Sequence, residues 1–438
     1  MNARRIKVDY MARVEGEASL DVEVVDGRIV NLQLRVFEPP RFFQGMLVGR
    51  HLDEVPGLVS RICGICPVSH QLTAIQALED ALGFRPPATT RALRRLLALS
   101  QFIQSHTLHL YMLAIPDFLG YGSALAMAGE HGPEVERALR LKRLGNDLTA
   151  AIGGREVHPV TPVVGGFTRF PEPGELAGLK ERLREAMQDA VATVRLAARL
   201  PVPEFCRDTE HVALRHPGEY AVNEGRLVST AGLDIAVEDY RQHIREEQVP
   251  YSNALQSRIV GRGAFMVGPL ARVNLNFPHL SPVARDAAAE VGVGFPSTNP
   301  FRSIVARALE VVHAIEESIS IIGDLDGALK RRQGAGEESR GQVAVRAGTG
   351  QAITEAPRGI LYHRYRVSGE GLIEEADIVT PTAHHVRHME EDLREIIPTV
   401  LDLPGDEATR RCEMVIRNYD PCFSCSAHFL RLRVTRRL

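Results

Sequence analysis

Tryptophan is absent from this chain, aromatic residues make up 5% of it, and only Lys7, Lys142, Lys180 and Lys330 interrupt an otherwise all-arginine basic set. Codon usage accounts for that bias, which carries no functional weight. There is no basic excess either: 52 Lys and Arg against 55 Asp and Glu leave a formal charge of -3, which excludes nucleic acid as a partner because phosphate backbones demand positive charge. No apolar run approaches the roughly 18 residues of a spanning helix. The opening MNARRIKVDYMARVEGEASL carries charges throughout where a signal peptide needs an apolar stretch. The chain therefore reads as cytoplasmic, with no direct membrane insertion. Six cysteines cannot staple so long a chain, and in a reducing compartment paired cysteines point to metal or redox chemistry. Internal repeats and low-complexity tracts are missing. So is a G-x-G-x-x-G after a strand-like run, which places any nucleotide site on another chain.

What is present is mostly helical periodicity. At 438 residues the chain exceeds the roughly 250–300 residues at which one core stops growing, so more than one packed region is expected. Residues 1–40 alternate like strands around an Asp26-Gly27 turn and form an N-terminal β region. Apolar residues recur at three and four over 67–82, 89–115, 133–153, 175–200, 283–292, 301–332 and 387–400, which predicts helices. Residues 201–300 are mixed, with short strands in RLVSTAGLDIAV; 359–381 reads as a hairpin and 331–342 as a loop or linker. The fold class is α+β and mainly α, a central long-helix bundle with peripheral β hairpins. It divides into the β region, a helical core over 41–200, the mixed segment, and a second helical core over 301–428.

Two C-x-x-C pairs carry the chemistry. RICGICPVSH (61–70) holds Cys63 and Cys66 with His70 four residues on, and DPCFSCSAH (420–428) repeats the spacing with Cys422, Cys425 and then His428. Four soft thiolates suffice for a structural zinc or an iron-sulfur cluster, and spacing alone leaves both open. Cys206 and Cys412 are unpaired and read as small buried apolar groups.

The flanks narrow the choice. RVEGE (13–17), RICGICPVSH, APRG (356–359) and DPCFSCSAH form an ordered set that resembles the large, catalytic subunit of nickel-iron hydrogenases along nearly the whole chain. RVFEPPRFFQG, PRGILYHRYRV and ADIVTPTA are most similar to the cytoplasmic bidirectional branch, which includes sulfhydrogenase-like, NAD(P)-linked and viologen-reducing enzymes. The resemblance implies that fold, and reversible heterolytic cleavage of dihydrogen at a buried centre. It implies nickel bound by Cys63, Cys66, Cys422 and Cys425, with Cys66 and Cys425 bridging to an iron that carries carbon monoxide and cyanide. Thiolates are the soft, electron-rich ligands that such redox chemistry needs. Splitting dihydrogen also needs a base, and a terminal thiolate, Cys422, followed by Glu15, would take the proton. A glutamate in that role belongs beside the thiolate, where desolvation raises its pKa. By position, His70 would donate to Cys66, Arg358 would donate to a cyanide nitrogen with Pro357 beside it, Thr382 would serve the other cyanide, and Asp420 would add a polar contact.

Two positions depart from the wider family. Gln44 stands where a glutamate usually helps coordinate a magnesium or further iron ion together with the carbonyl of Ile378 and the ring of His428; an amide brings no charge. Ser105 stands where respiratory relatives have aspartate, which weakens the charge network above the iron. Residues 429–438 occupy the place of an extension that a dedicated C-terminal endopeptidase removes once nickel is loaded, with a maturation chaperone as a further partner. With four cysteines used, electrons must leave through a separate iron-sulfur small subunit, with flavin and NAD(P) on diaphorase-type subunits. The rivals are a non-catalytic subunit like the quinone-site subunit of respiratory complex I, whose members lack the four cysteines, and a zinc-stabilised binding protein.

Overall fold

A computed structural model describes residues 3–335 and 339–427. Four long helices, Ala88–Leu108, Gly132–Gly153, Pro173–Arg199 and Ser303–Ala335, close on one another: the last packs on the first and third, and the second on the same two. The reason is written in their faces. Leu93, Leu96, Leu97 and Ile103 line one side of the first, whereas Ile304, Val305, Leu309, Val312 and Ile315 surround the last, the signature of a helix buried at the centre. Each such side chain contributes about 1.5–3 kcal/mol by leaving water. Asn299 caps the entry to the central helix, its side chain accepting from Phe301 N–H at 3.0 Å.

The N-terminal sheet pairs Ala3–Val8, Ala18–Val25 and Arg28–Val36 in order, antiparallel throughout. Its second turn is the expected one, with both Asp26 and Gly27 at positive φ. A second antiparallel sheet is larger than the expected hairpin, because Gly348–Ala356 precedes Gly359–Val367 and Ile373–Val379. The extra strand was hidden by glycine, which weakens a strand pattern. The packing requires it: a Cβ at Gly350 would stand 2.3 Å from Ala77 O, so the bare backbone is what lets this strand lie on the Pro67–Leu82 helix.

Four further differences follow from the same competition between pattern and packing. The expected 89–115 helix ends at Leu108 and continues through a π-type turn, His109–Ala114, into Ile115–Leu119. The 387–400 helix starts at Pro381, because buried His384, His385 and His388 interrupt its apolar periodicity. Gly405–Asn418 is a helix that its many charges disguise. The central helix runs to Ala335, into the segment expected to be a linker; 336–338 lie outside the described residues. No helix among the described residues is long and apolar enough to cross a membrane.

Candidate metal centre

The Pro67–Leu82 helix presents the first cysteine pair. Cys66 precedes its first turn, where Pro67 supplies a preset φ and no N–H to satisfy. Ile65 N–H and Cys66 N–H both donate to Cys63 Sγ, at 3.3 and 3.2 Å. The bond with Cys66 and the Arg358 charge push the Cys63 thiol below its ordinary pKa, while that same bond and burial push Cys66 well above it.

The second pair opens the one-turn helix Phe423–Ser426. Cys63 Sγ and Cys422 Sγ are 3.5 Å apart, and the Cys422 and Cys425 sulfurs are in contact. The sulfurs of Cys63, Cys66 and Cys425 all lie within 4.8 Å of one another, as do the ligand atoms of Glu15, Cys422 and Cys425. All four cysteines are buried. Segments more than 350 residues apart in sequence therefore build one pocket of soft donors, suited to nickel and iron rather than to a hard cation.

Glu15 arrives on the loop between the first two strands. Its backbone pairs with Cys422 as a parallel bridge, Phe423 N–H donating to Glu15 O at 2.8 Å. Gly16 permits this seam: its φ is +85°, and a Cβ there would meet Ser424 N at 2.5 Å. The side chain completes the contact, with Cys422 Sγ donating to Glu15 Oε2 at 2.8 Å and Ser424 Oγ donating to Oε1. Glu15 is half-buried in this chain, less enclosed than expected of a proton relay. Arg13 and Arg417 both grip Asp117, which ties the loop to the helix that runs into the second cysteine pair.

Arg358 is fully buried. Its Nε donates to Asp420 O at 2.7 Å and Nη2 to Asp420 Oδ1 at 3.0 Å, while Nη1 has no partner among the described residues. Asp420 sits at φ +56°, a conformation that a short polar side chain tolerates, so it serves both as a turn and as an acceptor. The unpartnered Nη1 is a charged donor held in a fixed plane, which fits an anionic ligand on a bound metal. Thr382, in the first turn of the Pro381–Val400 helix, accepts from Cys422 N–H at 2.8 Å and keeps its own O–H to donate.

The remaining expected residues divide. His70 Nδ1 meets His363 Nε2 at 3.3 Å, and His363 Nδ1 meets Tyr365 OH at 2.7 Å. Ser105 is buried with its hydroxyl unpartnered among the described residues. Gln44 lies on the short Phe43–Leu47 helix, which packs on the strand carrying Ile378, and Gln44 Nε2 is a buried amide nitrogen without a partner there. His428 and the tail 429–438 lie outside the described residues, but Ala427 O accepts from Arg41 N–H, so the chain reaches the same corner. Sequence reasoning missed Ser424, which its motif shows only as a spacer; Asp117; and His363, whose partner is distant in sequence. Cys412 is buried as expected, but Cys206 is exposed, against the expectation of burial; neither belongs to the groups of ligand atoms at the pocket.

Comparison with known proteins agrees. The family model described as nickel-dependent hydrogenase matches residues 41–137 and 220–428. The sulfhydrogenase 1 α subunit of Pyrococcus furiosus is 37% identical over 98% of both chains. The NAD-reducing hydrogenase β subunit of Cupriavidus necator is 27% identical over 98% of this chain and 95% of its own. Among solved structures, an NAD+-reducing [NiFe]-hydrogenase in the H2-reduced state superimposes with a TM-score of 0.86 at 28% identity, covering 98% of this chain and 100% of the other.

Proposed function

Because this chain belongs to the nickel-dependent hydrogenase family and is a catalytic large subunit acting on dihydrogen, we propose that Cys63, Cys66, Cys422 and Cys425 hold nickel, with Cys66 and Cys425 bridging to an iron that carries carbon monoxide and cyanide. The observation that carries this reading is the convergence of four buried sulfurs with Glu15 bonded to one of them. When bound, the metal pair supplies the soft, redox-active Lewis acid at which dihydrogen is polarised.

The chain's own residues do the rest. Cys422 takes the proton and passes it along the existing bond to Glu15 Oε2, while Ser424 on Oε1 keeps the carboxylate turned toward the sulfur. Arg358 Nη1 would donate to one cyanide, the Thr382 hydroxyl would donate to the other, and His70 would donate to Cys66. Gln44 Oε1, the Ile378 carbonyl and His428 would hold magnesium or a further iron ion, with the amide oxygen ligating without bringing charge.

Electrons leave through an iron-sulfur small subunit and diaphorase-type subunits that bind flavin and NAD(P). Exposed Phe37, Phe42, Met46, Val48 and Leu372 favour such docking. Arg41, beside Phe42, donates to Ile62 O and Ser424 O, so this face abuts both cysteine pairs. Six cysteines in 438 residues are too few for a disulfide scaffold, which supports a cytoplasmic, reducing location.

Dihydrogen-dependent reduction of a viologen dye by the matured chain with its small subunit tests the function; protein loaded with nickel yet inert toward dihydrogen would refute it. Maturation gives a separate test. Mass spectrometry of active enzyme should find a chain ending at His428, and nickel-starved cells should accumulate the full-length form. Active protein that retains Leu438 would refute the role of cleavage.

A further inference from the structure

Five N–H donors on Arg272 find five acceptors, and three of them belong to residues 355–357, immediately before Arg358. On the Pro269–Asn276 helix, Arg272 is completely buried. Its Nε and Nη2 grip Glu310 at 2.6 and 2.7 Å, and Nη1 reaches Glu355 Oε2 at 2.9 Å. The two remaining donors go to backbone: Nη1 to Ala356 O and Nη2 to Pro357 O, both at 2.9 Å. Those are the two carbonyls that immediately precede Arg358. The Phe102 ring lies 4.9 Å beneath the guanidinium. Glu310 is itself fixed by Tyr220 OH at 2.6 Å and His106 Nε2 at 2.7 Å, so the clamp cannot swing.

We propose that Arg272 is the positioning residue that sets the Ala356–Pro357 turn and thereby aims Nη1 of Arg358 at the metal ligand it serves. The inference rests on the reading that Arg358 donates to an iron cyanide. Arg358 is anchored on one side by Asp420 and on the other only through its own backbone, and Arg272 holds that backbone. A planar fork with five donors meets these acceptors together; an ammonium, with three donors, leaves at least two bonds unmade. Burial raises Glu355 to about 7 against the pull of Arg272, so Glu355 is the member of the cluster whose charge is most easily removed.

The test is infrared spectroscopy of the cyanide stretching bands in enzyme matured with its partner subunit, with nickel measured on the same samples. Arg272→Lys should displace the cyanide bands of the loaded fraction, and Arg358→Lys should displace them further. A merely structural Arg272 would lower protein yield and nickel content and leave the bands of the loaded fraction in place. Should Arg272→Lys give no soluble protein, Glu355→Gln loosens one of the five bonds and should produce the smaller displacement. Displacement by Arg358→Lys, with Arg272→Lys and Glu355→Gln both unmoved, overturns the positioning role alone. Unmoved bands in Arg358→Lys overturn the reading beneath it as well.

Discussion

Cys425→Ser should give a folded chain with almost no nickel and no dihydrogen uptake. Cys425 sits among the sulfurs of Cys63, Cys66 and Cys422, buried, with its thiol facing Ile62 O at 3.7 Å. A serine hydroxyl fits the space. It does not fit the chemistry, because an oxygen donor is a poor bridge between two soft ions and the remaining three thiolates cannot close the set. Folding should survive, since the Pro67–Leu82 helix that presents the first cysteine pair packs on the Gly348–Ala356 and Gly359–Val367 strands without this side chain. The measurement is nickel per folded chain together with dihydrogen uptake, and wild-type values in the variant would remove Cys425 from the site.

Glu15→Gln should keep the metal and lose turnover. The amide of the variant can still accept from Ser424 and can donate to the Cys422 sulfur, and the seam between residue 15 and Cys422, which is a backbone bridge, stays closed. What the amide cannot do is receive a proton. General acid–base groups contribute roughly 100- to 10,000-fold, and turnover should fall by about that factor at unchanged nickel content. Exchange of dihydrogen with solvent deuterons should fall with it. A structural Glu15 would instead lower nickel content or yield. Normal turnover would exclude Glu15 as the sole exit and direct attention to other groups near Cys422.

The sequence carried the site further than it carried the scaffold. Cys63 and Cys422 stand in short motifs whose spacing survives any change in the 350-odd residues between them, so a shared soft-donor site could be read without the fold, while the choice of metal came from the resemblance of the flanks. Glu15 and Arg358 were singled out by that same resemblance, although what anchors each was not legible. The Glu15 loop is locked by the backbone of Cys422 and by the grip of Arg13 on Asp117, contacts between segments that no local pattern reveals. Arg272 was invisible because a buried arginine in a mixed segment looks like a surface charge until its acceptors converge on it. The long helices were read from their periodicity. The Gly348–Ala356 strand was lost because its glycines serve packing against Ala77 rather than strand preference, and the Gly405–Asn418 helix because an outer charged face dilutes a narrow apolar one.

The measurement that bears most directly on the central claim is the metal content of the chain matured in a host that has the nickel-iron maturation machinery. Nickel together with iron, lost together when any of Cys63, Cys66, Cys422 or Cys425 becomes serine, is the predicted result. Zinc alone, or a folded and active chain without nickel, would contradict it.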